Sequence, residues 1–214
     1  MQPKLIDVCK HYNGLEHQNI ALEYLQGANP HGQLNKFAEL WRQTPDPAPE
    51  TQSVAIPANA KKSLPSRAKF VMDLKKQSAL VMGEFYLIDG YGKQMRAYAA
   101  TSGAPGWQGP GDIWVKGKGP CPPLPNLKID CSARWSPHVR GVEGWFFNVL
   151  PWTMHGPNGA QRGSIGIHRD ANVPGSAGCQ VFENDKEFND DFVPLMGEVF
   201  LAGVKEIPLE VVYK

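Results

Sequence analysis

Glycine and proline restrict the fold of this chain more than any other feature of its sequence. Of the 214 residues, 22 are glycine and 19 are proline, and many of them cluster in the segment 102–125. Proline fixes φ and has no backbone N–H, whereas glycine tolerates turn conformations that other residues avoid. Because long helices do not run through such segments, the composition predicts a loop-rich β protein rather than a helical bundle.

The pattern of apolar residues divides the chain into three sections. Residues 1–43 carry apolar side chains at three- and four-residue steps, which predicts a small helical unit. Residues 44–66 are rich in proline, alanine and polar residues, and this composition predicts an extended linker. Residues 67–214 carry β-favouring segments separated by short turns and predict the main domain.

Strand-like segments recur through the main domain, and a helical pattern follows Cys179. The predicted strands are Ala68–Leu74, Ala79–Ile88, Gln94–Ala100, Ser164–His168, Glu198–Leu201 and Pro208–Tyr213, and the predicted helix is Glu183–Phe192. The expected fold class is therefore mostly β, with a small helical addition at the N-terminus.

The balance of charge excludes two classes of partner. Lysine and arginine number 22 against 21 acidic residues, a formal net charge of +1, so the sequence predicts neither a nucleic-acid partner nor an anionic membrane surface. No apolar run reaches the roughly 18 residues that a membrane span needs. The first residues carry no recognisable secretory signal. We therefore expect synthesis in the cytoplasm, with delivery by another route if the protein acts outside.

The four cysteines do not follow a metal-binding spacing. Cys9, Cys121, Cys131 and Cys179 contain no Cys-x-x-Cys pair, and no closely spaced histidine pair accompanies them. No metal and no cofactor are predicted. Cys121 and Cys131 are spaced to close a short disulfide across a hairpin, but two unpaired buried thiols are the favoured interpretation.

One stretch combines residues suited to nucleophilic catalysis. An apolar run ends in His168, a loop rich in glycine and proline follows, and Cys179 comes directly after Gly178. A nearby imidazole can take the proton of a thiol and stabilise the thiolate. Gly178 leaves room for a substrate carbonyl, and the amides around it are candidates for an oxyanion hole. A lone cysteine or histidine is more often structural, but the combination favours Cys179 as nucleophile and His168 as base.

These residues resemble the motif of a known family. Ile-x-Ile-His, ending at His168, and Ser-Ala-Gly-Cys, over Ser176–Cys179, are similar to the signature of the L,D-transpeptidase (YkuD-like) catalytic domain. The segments Ala100–Gly103, Lys116–Pro120 and Pro122-Pro123 are similar to the family's strand ending in Ser/Thr-Gly and its later proline-containing segment. The resemblance covers roughly residues 68–213, and only the His…Cys motif is specific.

The resemblance implies a β-sandwich catalytic domain and a peptidoglycan substrate. It implies that Cys179 attacks the carbonyl of a diaminopimelic-acid or similar L,D-linked residue in a muropeptide stem. The acyl-enzyme then passes to an amine, which makes a cross-link, or to water, which cuts or trims the stem. His168 is oriented in such enzymes by the backbone carbonyl of the next residue, here Arg169. Ser176 is expected in the cleft.

The chain departs from the family pattern in ways that affect the expected reaction. Ala177 replaces the family's histidine, Gln180 and Val181 replace the usual apolar-then-Arg/Asn ending, and the loop from His168 to Cys179 is short. Such short-loop sequences resemble hydrolytic, phage-associated and toxin-associated relatives. We therefore expect cutting or trimming in the cell wall or periplasm, with a virion, as in an endolysin, or a secretion machine as partner.

Three further side chains are candidates for binding the substrate. Arg134 and Arg162 suit the carboxylates of a peptide stem, because a guanidinium matches a carboxylate bidentately. His155 lies in a loop expected near the catalytic strand. The competing functional hypothesis is a catalytically silent structural or virion protein with the same fold. A papain-type protease is disfavoured, since the sequence has no Cys-Gly-Ser-Cys-Trp segment.

Overall fold

The computed structural model describes residues 64–171 and 174–214. The predicted helical unit 1–43 and nearly all of the predicted linker 44–66 lie outside the described residues. The strands are β1 (Pro65–Met72), β2 (Gly83–Asp89), β3 (Gln94–Ser102), β4 (Lys128–Asp130), β5 (Arg134–Ser136), β6 (Gly144–Leu150), β7 (Thr153–His155), β8 (Gln161–Gly163), β9 (Gly166–Arg169), β10 (Gln180–Phe182) and β11 (Glu206–Tyr213). The helices are α1 (Asp185–Glu187), a π-helical turn over Phe188–Phe192 and α2 (Val193–Leu201). Short 3₁₀ turns cover Pro110–Asp112 and Pro157–Gly159.

Nine of the strands form one sheet that closes on itself. The order is β4-β11-β1-β2-β3-β10-β9-β6-β5, and β6 also pairs with β4. Eight strands therefore make a barrel-like ring, which β5 extends along one edge of β6. Most pairs are antiparallel, whereas β10 runs parallel to β9 and β11 runs parallel to β1. Strands β7 and β8 form a separate hairpin.

One face of the sheet, here called the inner face, packs on the C-terminal helical segment. Phe85, Phe147 and Phe182 lie on this face and are fully buried. The Phe192 ring packs against all three, with centroid distances of 5.7, 5.2 and 4.8 Å respectively. Removing apolar area of this size from water contributes roughly 1.5–3 kcal/mol per side chain. The inner face is thus the main hydrophobic core of the described chain.

The helical segment after Cys179 is longer than predicted. The sequence predicted a helix ending at Phe192 and a strand over Glu198–Leu201, but Val193–Leu201 continues as helix, so the strand prediction is wrong. The buried residues Phe192, Met196 and Val199 recur at three- and four-residue steps, which is the period of a helix face. Four residues at the end of such a series look strand-like only when read in isolation.

The prediction of a mostly β domain is confirmed, and the finer prediction of a β-sandwich is not. The strands join in one closed sheet rather than in two separate facing sheets. The predicted strand Ala79–Ile88 begins only at Gly83. Among the described helices, none is long and apolar enough to cross a membrane.

Candidate active site

Strand register brings the predicted nucleophile and base to the same face of adjacent strands. Val181 of β10 pairs with His168 of β9. Side chains alternate along a strand, so Cys179, two residues before Val181, faces the same way as His168. This is the outer face, opposite to the face that carries Phe182. The Cys179 thiol accepts a hydrogen bond from the Gly166 N–H at 3.3 Å, which fixes the sulfur beside the start of β9.

A serine-centred turn holds the backbone that carries Cys179. The Ser176 hydroxyl donates to the Cys179 carbonyl at 2.6 Å and accepts from the Gly178 N–H at 3.1 Å. Serine side chains commonly stabilise turns in this way. The Gly178 N–H is therefore engaged within the turn, which leaves the amides of Ala177 and Cys179 as the oxyanion donors to consider.

The end of β3 fixes the same turn from the neighbouring strand. The Ser102 hydroxyl donates to the Gly178 carbonyl at 3.0 Å and accepts from the Cys121 N–H at 2.9 Å. The backbone of Gly103 also bonds to Ser176, which donates its N–H to the Gly103 carbonyl at 3.1 Å. The Thr-Ser-Gly segment and the segment after Gly119 thus meet at the turn over Ser176–Cys179, here called the nucleophile turn because it carries the predicted nucleophile.

His168 is held in the form that can act as a base. Its Nδ1 lies 2.7 Å from the Arg169 carbonyl oxygen. A carbonyl only accepts hydrogen bonds, so Nδ1 carries the proton and the lone pair is on Nε2. The side chain is 4% exposed, and burial lowers the pKa of His168, partly opposed by the Arg169 hydrogen bond. The imidazole is consequently neutral near pH 7.

The thiol of Cys179 is protonated in the resting site. The residue is half-buried, and burial raises the pKa of Cys179 to about 11. The Gly166 N–H and the charges of Arg162 and Arg134 act in the opposite direction and favour the thiolate. Because the imidazole is also neutral, the arrangement suits proton transfer during attack rather than a preformed thiolate–imidazolium pair.

Three side chains form a row across β5, β6 and β9 on the outer face. The Arg134 guanidinium lies 4.5 Å from the centroid of the Phe146 ring. That ring stacks on the His168 imidazole, with centroids 5.7 Å apart and an interplanar angle of 16°. Arg134 is exposed, so the row runs from solvent to the buried His168 imidazole. Phe146 therefore orients His168 from the side opposite to β10.

Arg162 lies against the nucleophile turn but is buried. Its Nη2 donates to the Ala177 carbonyl at 2.7 Å and to the Gly119 carbonyl at 2.8 Å. A β-carbon added to Gly178 would lie 2.2 Å from that nitrogen. The side chain is 3% exposed. Within the described residues its guanidinium donates to four backbone carbonyls, so Arg162 braces the turn rather than projecting into solvent.

A polar cavity of about 240 Å³ adjoins Arg162 on the side of the β7–β8 hairpin. Its lining residues are Lys116, Thr153, Gln161, Arg162, Gly163 and Ser164. Neither Cys179 nor His155 lines it. His155 is an exposed residue at the end of β7, where it pairs with Gln161 of the β7–β8 hairpin.

The other described cysteines are distinguished from Cys179 by deeper burial. Cys121 and Cys131 are free thiols with exposures of 0% and 1%. Burial raises the pKa of each to about 12. The favoured prediction of two unpaired buried thiols is thus confirmed, whereas Cys9 lies outside the described residues. Within residues 64–171 and 174–214, no histidine, cysteine and carboxylate side chains group in threes to hold a metal.

The geometry gathers most of the predicted site residues and adds others. One cluster contains five of the predicted groups, namely Cys179, His168, the Arg169 carbonyl, Ser176 and Gly178. Arg162 borders this cluster, and Arg134 contacts it through Phe146. His155 lies apart from it. The sequence argument missed Gly166, Ser102 and Phe146 as parts of the site. The sequence could have indicated Ser102 as a site residue, because it belongs to the Thr-Ser-Gly segment that resembles the strand end of the L,D-transpeptidase family.

Searches with models of known protein families and against curated proteins find no match to this chain.

Proposed function

We propose that this chain is a peptidoglycan-active cysteine enzyme of the L,D-transpeptidase type, with Cys179 as nucleophile and His168 as general base. One observation carries the proposal. The thiol is fixed by the Gly166 N–H on the same sheet face as an imidazole whose Nδ1 is committed to the Arg169 carbonyl. That combination leaves the lone pair of the imidazole on Nε2, and strand register places the imidazole on the sheet face that also carries the half-buried sulfur, which suits thiol-based acyl transfer.

The proposed reaction has two halves. His168 takes the thiol proton while the Cys179 sulfur attacks a carbonyl carbon of an L,D-linked residue in a muropeptide stem. The C–N bond then breaks, His168 returns the proton to the departing amine, and a thioester remains. Water or a second amine, deprotonated by His168, attacks the thioester; the C–S bond breaks and the proton goes back to sulfur. The amides of Ala177 and Cys179 are the proposed donors to the oxyanion.

The proposal extends to the finer fold class and to the reaction direction. The finer fold class that we propose is an L,D-transpeptidase-like catalytic domain, supported by His168 on β9 and by the Cys179 turn that leads into the parallel strand β10. Ala177 and Gln180, which depart from the family pattern, favour cutting or trimming over cross-linking. The polar cavity beside Arg162, with the exposed Lys116 on its wall, is the proposed contact for a stem carboxylate. The proposed site of action is the cell wall or periplasm, reached from a phage particle or a secretion machine.

A specific observation favours the second candidate, a catalytically silent structural or virion protein. Burial raises the pKa of Cys179 to about 11, so the resting thiol carries almost no negative charge at neutral pH. A purely structural cysteine has the same property. The two candidates differ in whether His168 can remove the proton when substrate is bound.

Product analysis on purified muropeptides separates the two candidates. The full-length chain is incubated with monomeric and cross-linked muropeptides, and products are identified by mass spectrometry beside Cys179→Ala and His168→Gln. The enzyme proposal expects shortened stems or broken cross-links from the wild type, and a loss of at least roughly 10³-fold in Cys179→Ala, since nucleophile removal has effects of this order. Identical product profiles for wild type and Cys179→Ala, or no product from either, would reject the enzyme proposal.

A further inference from the structure

Arg162 joins three segments of backbone around the nucleophile turn. Its Nη2 bonds to the Ala177 carbonyl at 2.7 Å and to the Gly119 carbonyl at 2.8 Å. Its Nη1 donates to two further carbonyls within residues 113–120. The guanidinium therefore clamps the turn before Cys179 to the loop that covers it.

Among the described residues, the positive charge of Arg162 has no carboxylate partner. Its side chain is 3% exposed, and no aspartate or glutamate of the described residues forms an ion pair with it. Burying a charge without a counter-charge is costly, and carbonyl dipoles offset only part of that cost. A buried cation in this state requires a reason beyond the anchoring of loops, because neutral donors could anchor them at lower cost.

The groups near Arg162 that can become negative are two thiols and a phenol. These are Cys179, Cys121 and Tyr213. Cys121 is 0% exposed, and the Tyr213 hydroxyl is committed to the Cys121 carbonyl at 2.6 Å. Cys179 alone is half-buried, and strand register places it on the same sheet face as His168, the proposed base. Cys179 is therefore the group whose thiolate is placed to react with a substrate.

We propose that Arg162 is a positioning residue whose unpaired charge is balanced by the negative charge that forms at Cys179 during the reaction. It holds the turn through Ala177 and stabilises the thiolate and the oxyanion that develop next to Gly178. A charge fixed in advance by four carbonyl contacts needs no rearrangement when the negative charge appears, which is the condition for effective electrostatic stabilisation. The role rests on the proposed function, because it assigns Arg162 to that same site.

Within the part of the chain that the structure describes, the other charged or titratable groups facing Cys179 are few. His168 is neutral on β9, Arg134 reaches the site over Phe146, and Cys121 lies across the turn. Arg134 is exposed and screened by solvent, whereas Arg162 is buried. The test must therefore separate the charge of Arg162 from its anchoring role and from the charge of Arg134.

Alkylation of Cys179 measures thiolate formation without any peptidoglycan. The rate of modification by iodoacetamide at Cys179 is followed by peptide mass spectrometry between about pH 6 and 10 in wild type, Arg162→Gln and Arg162→Lys. Losing a nearby cation raises a thiol pKa by about one unit. The higher nucleophilicity of the more basic thiolate offsets part of the resulting loss. We expect Arg162→Gln to slow alkylation about three- to tenfold below the thiol pKa, with Arg162→Lys close to wild type.

The controls separate charge from structure. Arg67→Gln removes an exposed arginine on β1 and is expected to leave the rate unchanged. Equal slowing of alkylation in Arg162→Gln and Arg162→Lys would mean that Arg162 only anchors the turn. Unchanged alkylation rates in both variants would mean that Arg162 has no effect on the thiol. Either result would overturn the proposal. Circular dichroism and thermal unfolding check that the variants fold.

A second measurement needs no variant of Arg162. An unpaired cation beside the sulfur attracts an anionic reagent, so folded wild type and Arg134→Gln should prefer iodoacetate over iodoacetamide by several-fold more than the urea-unfolded chain does. An equal preference in folded and unfolded chains would overturn the proposal even if Arg162→Gln fails to fold. Failure of the muropeptide assay with a positive alkylation result would reject the proposed enzyme function alone, which keeps the two tests distinguishable.

Discussion

The two faces of strands β9 and β10 are equally buried and chemically opposite. On the inner face, Ile167 and Phe182 are 0% exposed and join the aromatic core around Phe192. On the outer face, His168 is 4% exposed and Val181 is 0% exposed, but the neighbouring groups are a thiol, an imidazole and a guanidinium. Alternation along two short strands therefore builds both the core and the candidate site. Burial alone cannot tell the two faces apart, whereas their polar partners can.

The largest expected effect is on the inner face. Phe192→Ala removes a ring that packs against Phe85, Phe147 and Phe182, and truncations of this kind cost about 3–5 kcal/mol. We expect the free energy of unfolding in urea to fall by that amount. Cys179→Ala, on the outer face, should change it by less than about 1 kcal/mol, because small substitutions at partly exposed positions have small effects. Similar losses in both variants would contradict the distinction between the faces.

The next effect is confined to the outer face and concerns Gly178. Its φ of +121° and the 2.2 Å approach of a β-carbon to the Arg162 Nη2 both oppose a side chain there. Gly178→Ala should lower stability by about 1–3 kcal/mol and greatly slow alkylation of Cys179, because the turn must move.

A matched glycine separates backbone strain from the close approach of Arg162. Gly117 has a φ of +75° but no heavy atom within 4 Å of an added β-carbon. Gly117→Ala should therefore lose only the backbone contribution, about 1–2 kcal/mol, with unchanged thiol reactivity. If Gly117→Ala slowed alkylation as much as Gly178→Ala, the contact with Arg162 would not be the cause.

Cys179 and His168 could be identified as candidates from the sequence because both lie in one short segment. An imidazole, a glycine-rich loop and a cysteine within a short segment form a pattern that can be interpreted without knowledge of the fold. The same holds for β9, because the predicted strand Ser164–His168 overlaps it. The three-residue strand β10 was not among the predicted strands.

What the sequence could not predict depends on pairing between distant segments. Phe146 meets His168 because β6 lies beside β9, and nothing in either segment specifies that neighbour. Arg162 was expected to bind a substrate carboxylate, yet its donors go to carbonyls of loops that lie far from it in sequence. The closed ring of strands has the same origin, because β4 returns to β6 through tertiary contacts rather than local sequence.

A smaller effect concerns the response of stability to pH. Burial lowers the pKa of His168 in the folded chain below its ordinary value near 6.5. As the pH falls below about 6.5, the unfolded chain binds this proton first, so the free energy of unfolding decreases until the pH passes the lower folded pKa. His168→Gln should weaken this decrease between about pH 7 and 5. Urea unfolding at several pH values measures the slope, and an unchanged slope in His168→Gln would exclude His168 as its source.

The smallest effect tests whether Arg134 is coupled to the row on the outer face. The Arg134 guanidinium lies 4.5 Å from the Phe146 ring centroid, and such contacts at exposed positions contribute about 0.5–1 kcal/mol. A double-mutant cycle with Arg134→Gln and Phe146→Leu isolates that contribution, because the single losses include other contacts of each side chain. We expect a coupling free energy within this range in urea unfolding. A value indistinguishable from zero would leave Phe146 as the sole member of the row that orients His168, and Arg134 as an independent surface charge at the edge of the site.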